Sequence, residues 1–319
     1  NGGPVSIDPK ARKPSWLKVR PPGGERYAWI KQQRNTLELS TVCEEARCPN
    51  IGECWKGGTA TFMVMGSICT RGCRFCAVNT NKNGKPLDAD EPAKLGRTIA
   101  AMELDYIVVT SVDRDDLPDQ GAQHFADCVA AVNDLSPKTK VEILHPDFRG
   151  DPALIDIVAN SGADVLAHNI EVTRGLTKQV RDGRCGYDQS LAVLQRLKVT
   201  KPDGLTKSSI MVGLGETEDE VVETMRDLRG VDVDFLTVGQ YLRPSVKHIA
   251  VEEYVEPATF DRYARIGKEL GFQYVASGPL VRSSYKAAEY FIRDYLEGRA
   301  NDWQPPADTS GRRRLGIIQ

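Results

Sequence analysis

The sequence predicts an α/β fold, a partial (β/α) barrel of about six βα units with N-terminal and C-terminal extensions. Short apolar runs of strand length alternate with segments of helical periodicity, a pattern typical of βαβ units and a parallel sheet. Polar residues cluster directly after several of these runs. Since functional residues of a barrel lie at the carboxyl ends of its strands, the shared position favours a barrel over the alternative, a doubly wound sheet.

The predicted elements follow one another along most of the chain. Residues 1–24 are rich in proline, glycine and basic residues without periodicity, which indicates an extended arm, and residues 25–39 have helical spacing. The predicted strands are 59–65, 106–110, 140–144, 164–168, 208–212, 234–238 and 272–276. The predicted helices between and after them are 93–103, 120–135, 151–161, 187–197, 218–229, 257–270 and 285–295.

We expect three segments: an arm with a cysteine segment (1–56), the barrel (57–281) and a C-terminal segment (282–319).

Composition excludes some functions. The 319 residues include 42 basic and 44 acidic side chains, for a net charge of −2, so no overall basic field for nucleic acid is expected. No apolar run approaches the roughly 18 residues of a membrane span, and the first ten residues lack a secretory core. We therefore expect neither nucleic acid nor membrane as a partner.

Six of the eight cysteines lie between residues 43 and 76, which indicates metal or redox chemistry and not a disulfide framework. Cys69, Cys73 and Cys76 follow the first predicted strand, with three and then two residues between them. Three thiolates suit a four-iron cluster with one iron left open, whereas structural zinc takes four ligands. Zinc or buried thiols remain the alternative reading of this loop.

A second triplet, Cys43, Cys48 and Cys54, also lacks a fourth cysteine. Two incomplete clusters use all six thiols more naturally than one closed zinc site does. Cys128 lies in an apolar helical pattern and is expected in the core. Cys185 lies in a glycine-rich stretch and suits either a structural or a ligand role, of which we expect the structural one.

These residues resemble those of a known family. Cys69-x-x-x-Cys73-x-x-Cys76 resembles the loop of radical S-adenosylmethionine (SAM) enzymes, and the upstream triplet together with 282–285 (Arg-Ser-Ser-Tyr) is similar to lipoyl synthases. The resemblance covers about residues 14–298. Further similar stretches are 41–46, 113–119, 167–171, 213–216 and 240–244.

The resemblance implies a radical SAM lipoyl synthase with two 4Fe-4S clusters and SAM as cofactors. Cys69, Cys73 and Cys76 would hold the cluster that cleaves SAM to 5′-deoxyadenosyl radicals. Cys43, Cys48 and Cys54 would hold an auxiliary cluster that donates sulfur. The family takes a serine of the Arg-Ser-Ser-Tyr motif as its fourth ligand; we expect Ser284, with Ser283 the alternative and a helix N-cap the competing reading.

The expected SAM contacts come from strand ends and the loop beyond. Thr110 and Ser111 end the second predicted strand, and Asn169 and Glu171 follow the fourth. Glu171 is expected to accept from the ribose hydroxyls, and Arg181 to pair with the cofactor carboxylate. Solvated loop residues or helix caps are the alternative for each.

The implied reaction inserts two sulfur atoms, at C6 and C8 of an octanoyl chain on a lysine of a lipoyl carrier. Such carriers include the glycine-cleavage H protein and the lipoyl domains of 2-oxoacid dehydrogenases, and ferredoxin or flavodoxin would supply electrons. We expect Leu242, Val275 and Leu280 to line an acyl channel. The basic stretches 10–20 and 312–314 are either steering sites for an acidic carrier or solvated tails.

The implied location is the cytoplasm for a bacterial protein, and the mitochondrial matrix or plastid stroma for a eukaryotic one. Another two-cluster radical SAM enzyme, such as a methylthiotransferase or a peptide-modifying enzyme, is the alternative function; a structural zinc protein is a further one. The chain departs from the family at Gln120, where the family usually has glycine, and at 172–174. Both departures concern loop geometry near the cofactor contacts.

Overall fold

A computed structural model describes residues 13–18, 23, 28–29, 31–32, 40–41, 44, 48, 50–56, 59–284, 292, 295–296 and 298. The main sheet has eight strands in the order in which the chain reaches them: β1 (Ser40–Thr41), β2 (Thr59–Val64), β5 (Tyr106–Ser111), β6 (Lys140–Leu144), β7 (Val165–Ala167), β8 (Leu205–Val212), β9 (Phe235–Gln240) and β10 (Tyr274–Gly278). Two short strands, β3 (Ile68–Cys69) and β4 (Asn79–Thr80), form a separate parallel pair.

Helices connect the parallel strands and cover one face of the sheet. The α-helices are α1 (Ile51–Lys56), α2 (Glu91–Met102), α3 (Ala122–Leu135), α4 (Pro152–Ala159), α5 (Thr177–Val180), α6 (Tyr187–Thr200), α7 (Glu218–Gly230) and α8 (Pro257–Glu269). Short 3-10 turns occupy Ser15–Leu17, Phe148–Gly150 and Arg174–Leu176. Among the described helices, none is both long and apolar enough to cross a membrane.

Strand order decides between the two predicted architectures. From β2 to β10 every neighbouring pair is parallel and follows chain order, while β1 joins β2 antiparallel. A doubly wound sheet reverses its strand order at a switch point, and this sheet does not. The predicted partial barrel is therefore confirmed, with all seven predicted parallel strands in place.

The registers of the strands separate two apolar layers. Leu236, Val238 and Val275 belong to the large cluster formed with the helices, whereas Phe235 and Tyr274 pack with Tyr106, Val108 and Val165 on the opposite, inner face. Val275 also lies against Gly267 of α8. The expectation that Val275 lines an acyl channel is wrong, because its side chain points to the helical layer.

The inner face also carries a buried ion pair. Lys207 of β8 contacts both carboxylate oxygens of Glu142 at 2.8 Å, and the Tyr106 hydroxyl donates to the same carboxylate at 2.7 Å. The Lys207 and Glu142 side chains are each 1% exposed. An ion pair this deep is stable only when its remaining lone pairs are satisfied, which the tyrosine does here.

The described residues include only part of the N-terminal and C-terminal extensions. The predicted helices 25–39 and 285–295 fall largely outside the described residues. Cys43, residues 10–12 and 19–20 of the basic stretch 10–20, and all of 312–314 also lie outside them. Gln120 adopts φ +51°, followed by Gly121 at +82°. This departure from the family therefore stands where glycine is the least strained residue.

Candidate cluster and cofactor site

The loop that carries Cys69, Cys73 and Cys76 starts at β3, directly beyond the carboxyl end of β2. Its backbone is anchored to residues that follow β5 and to the segment around residues 180–182. Thr70 N donates to Asp113 O at 2.9 Å, Gly72 N to the Asp182 carboxylate at 2.8 Å and Arg74 N to Val180 O at 2.9 Å. These bonds place the loop over the mouth of the barrel, as the sequence predicts for a radical SAM loop.

Backbone amides point at all three sulfur atoms of this loop. Cys69 Sγ accepts from the amides of Arg71 and Asp113, each at 3.4 Å, and Cys73 Sγ accepts from the amide of Asp182 at 3.3 Å. Cys76 accepts from the amide of Val78. Amide donors of this kind stabilise negative sulfur, as the second shell of iron–sulfur sites does.

Without metal the three thiols resist ionisation. Burial raises the pKa of Cys69 to about 12 and also raises the pKa of Cys76. The hydrogen bond with Cys185, together with burial, raises the pKa of Cys73. Since metals bind thiolates, loading this site must release protons, and the amide donors then compensate the charge.

The spacing of the sulfur atoms argues against a single ion. In the described part of the chain, one set of three potential ligand atoms lies within 4.8 Å of one another, namely Glu91, His124 and Cys128 in the helical layer. Cys69, Cys73 and Cys76 form no such set among the described residues, so at least one pair of their sulfur atoms lies more than 4.8 Å apart, against roughly 3.8 Å between sulfurs on one tetrahedral zinc. A cluster in which each cysteine binds its own iron fits this spread, so these residues fit the implied 4Fe-4S group.

Arg71, inside the loop, is the main electrostatic link to the barrel. Its guanidinium donates to Asp115 at 2.9 and 3.0 Å and to Asp147 at 2.7 Å. It also lies 3.3 Å from Asp113, and its side chain is 1% exposed. These contacts lower the pKa values of Asp115 and Asp147 despite burial, whereas burial raises the pKa of Asp113 to about 6. The loop is therefore tied to the ends of β5 and β6.

Three of the predicted SAM contacts come together beyond β7. The Asn169 side chain donates to Glu171 at 3.1 Å, and the charge of Arg181 acts on Glu171, whose pKa burial nevertheless raises. Arg181 also donates to Ile170 O at 3.3 Å and to Ser190 Oγ at 2.9 Å. The carboxylate and the guanidinium thus share one buried polar cluster at the barrel mouth.

The other two predicted contacts lie at the end of β5, two strands away. Thr110 Oγ1 donates to Leu144 O at 2.7 Å, so its hydroxyl already has a backbone partner. Ser111 Oγ is buried without a protein partner. Of this pair, Ser111 is the side chain whose hydrogen-bonding capacity remains for a ligand.

The described part of the second triplet lies near the predicted serine motif. Asn50, two residues after Cys48, is 3% exposed, and its amide donates to Leu280 O at 2.6 Å. Cys48 also acts electrostatically on Arg282, whose pKa burial lowers. Ser283 and Ser284 follow as a half-buried turn. Cys54 is buried at the carboxyl half of α1, and Cys43 lies outside the described residues.

The two remaining cysteines have different surroundings. Cys128 is fully buried in the main core, as the sequence predicts. Cys185 is half-buried, and its Sγ accepts from Arg71 Nη1 of the cysteine loop at 3.3 Å. Sequence spacing could not reveal the contact between Arg71 and Cys185, because 114 residues separate them.

Comparison with known families agrees with this geometry. Residues 63–228 match the radical SAM superfamily, and residues 6–48 match the N-terminal domain of lipoyl synthase of the radical SAM family. A lipoyl synthase from Anaeromyxobacter sp. (strain Fw109-5) is 58% identical over 289 residues, which cover 91% of this chain and 98% of the relative.

This chain belongs to the lipoyl synthase family.

Relatives from other sources are nearly as similar. The chloroplastic lipoyl synthase of Arabidopsis thaliana is 53% identical, covering 91% of this chain and 75% of the relative. The mitochondrial lipoyl synthase of Bos taurus is 54% identical, covering 91% and 79%. The chain is thus an enzyme of the radical SAM superfamily, a group for which a 4Fe-4S cluster and SAM are implied.

Solved structures support the fold independently. Methylornithine synthase superposes with a TM-score of 0.54 at 15% identity, covering 90% of this chain and 88% of that one. The hydrogenase maturase HydG from Carboxydothermus hydrogenoformans superposes with a TM-score of 0.55 at 12% identity, covering 68% and 52%. At these identities the likeness concerns the barrel alone.

Proposed function

We propose that this lipoyl synthase family member inserts two sulfur atoms, at C6 and C8, into an octanoyl chain carried on a protein lysine. Two hydrogens leave the chain, one from each carbon, and one SAM is consumed for each. Two 4Fe-4S clusters serve the reaction. When bound, one supplies the electron that cleaves SAM to a 5′-deoxyadenosyl radical, and the other supplies sulfur.

Cys69, Cys73 and Cys76 would hold the first cluster. Support comes from the amide donors aimed at each sulfur and from the spread of the three sulfur atoms. Through its ion pairs, Arg71 holds this loop against the residues that follow β5 and β6. These ion pairs and the amide donors would fix the position of the bound cluster relative to the barrel mouth.

SAM would bind across the strand ends. Glu171 is placed to accept from the ribose hydroxyls, with Asn169 orienting its carboxylate. Arg181 is placed to bind the cofactor carboxylate while Ser190 and Ile170 hold its side chain. Ser111 would add a hydroxyl from β5, and Thr110 would support that strand end through its backbone bond. Depth in the barrel protects the reacting atoms from water.

Cys43, Cys48 and Cys54 would hold the auxiliary cluster, with Ser284 as fourth ligand. The single observation that carries this proposal is the hydrogen bond from Asn50 to Leu280 O, with Cys48 acting on Arg282. It joins the cysteine segment to the serine segment, which lie 230 residues apart in the chain. A serine alkoxide would be a harder ligand than the three thiolates, and it would tether the serine segment to the cysteine segment.

The protein partner would be an octanoylated lipoyl carrier, such as the glycine-cleavage H protein or a lipoyl domain of a 2-oxoacid dehydrogenase. A low-potential protein such as ferredoxin or flavodoxin would supply electrons. Similarity to bacterial, chloroplastic and mitochondrial enzymes supports a compartment that contains such carriers: bacterial cytoplasm, plastid stroma or mitochondrial matrix. Leu242 and Leu280 remain as proposed contacts of the acyl chain.

Four variants test these assignments. Anaerobically reconstituted enzyme is incubated with SAM, dithionite and an octanoyl-lysine peptide, and 5′-deoxyadenosine and thiolated peptide are quantified by mass spectrometry. Cys73→Ala should form neither product. Cys48→Ala and Ser284→Ala should form 5′-deoxyadenosine but no lipoyl product. Cys128→Ala, a substitution in the helical layer, is the matched control and should form both.

Each departure has a defined meaning. Lipoyl product from Cys48→Ala would contradict the sulfur-donor role of the second triplet. If Ser283→Ala forms no lipoyl product while Ser284→Ala still forms it, then Ser283 is the fourth ligand. If the wild-type chain cleaves SAM but never modifies the octanoyl peptide, another two-cluster radical SAM reaction replaces this proposal.

A further inference from the structure

Residues 241–249, which follow β9, contact the cysteine loop at two backbone carbonyls. The Ile249 amide donates to Arg74 O at 3.0 Å. His248 Nε2 lies 2.9 Å from Cys76 O, and because a carbonyl oxygen can only accept, this nitrogen carries the proton. The backbone of one proposed cluster ligand, and that of the residue two positions before it, are therefore held from outside the cysteine loop. We call residues 241–249 the bridge segment.

The bridge segment is held together by contacts of its own. Tyr241 is 3% exposed, and its hydroxyl donates across the segment to Ile249 O at 2.9 Å. The Ser245 hydroxyl lies 2.9 Å from His248 Nδ1, which accepts its proton because the other ring nitrogen is the donor. Tyr241 and Ile249 also belong to one buried apolar cluster, against which Phe75 of the cysteine loop packs. The bridge segment and the cysteine loop therefore form one packed unit.

The serine segment (282–285) begins beside the opposite end of the bridge segment, where β9 ends. Arg282 Nη1 donates to Gln240 O at 3.1 Å. A Cβ on Gly239 would lie only 2.1 Å from Val281 O, so the two backbones approach this closely only because residue 239 has no side chain. One end of the bridge segment thus adjoins the serine segment, and the other adjoins the cysteine loop.

We propose that the bridge segment fixes the cysteine loop and the serine segment relative to each other, with His248 and Tyr241 as its positioning residues. This inference rests on the proposed function for the assignment of Cys76 and Ser284 as ligands of two different clusters. The hydrogen bonds and the apolar cluster described above hold the segment at both ends, so a change at one end is transmitted to the other.

The relative position matters because the two parts of the proposed reaction occur at different sites. Hydrogen is removed beside the cysteine loop, and sulfur is added to the same carbon beside the serine segment. A misplacement of about 1 Å between reacting groups can cost roughly 100-fold in rate. Loosening the bridge segment should therefore allow SAM cleavage without sulfur insertion, which raises the ratio of 5′-deoxyadenosine to lipoyl product.

Hydrogen exchange of the anaerobically reconstituted enzyme, followed by mass spectrometry, tests the bridge without a catalytic readout. Gly239→Ala alters the contact with the serine segment, yet exchange should also become faster in peptides covering 70–78 and 245–251. Val246→Ala is the matched control, because the Val246 side chain lies in the bridge segment and is 75% exposed. Faster exchange confined to residues 278–284, or an equal change in both variants, would overturn the proposal.

Product ratios test the positioning role with smaller changes. Tyr241→Phe removes the hydroxyl bond to Ile249 O, and His248→Ala removes the bond to Cys76 O. Each should raise 5′-deoxyadenosine per lipoyl product by about tenfold, with iron per chain unchanged. His248→Gln, whose side-chain amide can donate to the same carbonyl, should restore most of the wild-type ratio.

A merely structural role predicts a different result. Iron, 5′-deoxyadenosine and lipoyl product would then fall together in Tyr241→Phe and His248→Ala, and this outcome, or an unchanged ratio in both variants, would overturn the proposal. A wild-type enzyme that forms no lipoyl product would contradict the proposed function instead. The hydrogen-exchange comparison would still decide whether the bridge segment couples the serine segment to the cysteine loop.

Discussion

The side-chain amide of Asn50 donates a 2.6 Å hydrogen bond to the backbone carbonyl of Leu280, joining the two ends of the described barrel. Asn50 lies within the cysteine segment, between Cys48 and Cys54, and Leu280 precedes the serine segment (282–285) by two residues. Both residues are buried, at 3% and 5% exposure. A bond formed in this setting places the proposed ligands of the auxiliary cluster on adjacent chain segments.

Asn50→Ala should weaken the auxiliary cluster without disabling SAM cleavage. Loss of the amide leaves the buried Leu280 carbonyl unsatisfied, at a cost of about 1–3 kcal/mol in unfolding free energy. We expect less iron per chain and reduced lipoyl product, with 5′-deoxyadenosine formation retained. Asn160→Ala is the matched control, since the Asn160 amide donates to Asp156 O at 2.9 Å on the exposed surface. Equal iron loss in both variants would refute the linking role of Asn50.

Arg71→Ala should destabilise the protein and impair loading of the radical cluster. Removing the guanidinium leaves the buried Asp147 carboxylate without its ion pair and takes from Asp115 one of its arginine partners, a kind of change that costs about 3–5 kcal/mol. Arg71→Lys retains the charge but cannot reproduce the fork that reaches two carboxylates, so an intermediate loss is expected. Chemical denaturation and iron analysis measure both effects.

The control for that series is an exposed ion pair. Arg262 contacts Glu218 at 2.8 Å with both side chains more than 40% exposed. Arg262→Ala should change the unfolding free energy by less than about 1 kcal/mol. A comparable loss in Arg71→Ala and Arg262→Ala would contradict the central role of Arg71.

Two buried histidines should make stability fall with acid. Burial lowers the pKa of His145 to about 3 and that of His168 to about 4, against about 6.5 in an unfolded chain. As pH falls below about 6.5 the unfolded chain takes up these protons first, so stability declines toward pH 4. His168→Asn should reduce this slope by about 1.4 kcal/mol per pH unit between roughly pH 4.5 and 6. Denaturant titrations measure it; an unchanged slope would show that His168 does not remain neutral in the fold.

The buried pair inside the barrel should behave as a unit. Lys207→Met strands the Glu142 carboxylate beside the Tyr106 hydroxyl and should cost about 3–5 kcal/mol. The double variant Lys207→Met with Glu142→Leu removes both charges and should recover most of that loss. A double-variant loss equal to the sum of the single losses would argue against direct coupling.

Local signals account for what the sequence could predict. The seven predicted parallel strands are runs of five to seven residues, and the helices between them repeat with ordinary periodicity, so the sequence predicts both. The position of the barrel mouth could be predicted from two signals: the spacing of Cys69, Cys73 and Cys76, and the polar residues at the strand ends. The two-residue strands β1, β3 and β4 escaped prediction because so few residues carry no period.

Relationships between distant segments account for the rest. Arg71, Asp115 and Asp147 come from three separate loops, and their meeting depends on the barrel register. The contact of Arg71 with Cys185 depends on the barrel in the same way. Val275 was assigned to the wrong face because a strand buried on both sides shows no alternation to fix its phase.

Iron and acid-labile sulfide per chain, measured after anaerobic reconstitution, test the two-cluster account most directly. We predict about eight irons with matching sulfide in the wild type, and about four in both Cys73→Ala and Cys48→Ala. About four irons in the wild type, unaffected by Cys48→Ala, would contradict an auxiliary cluster on the second triplet. Stoichiometric zinc without iron under the same conditions would contradict both clusters.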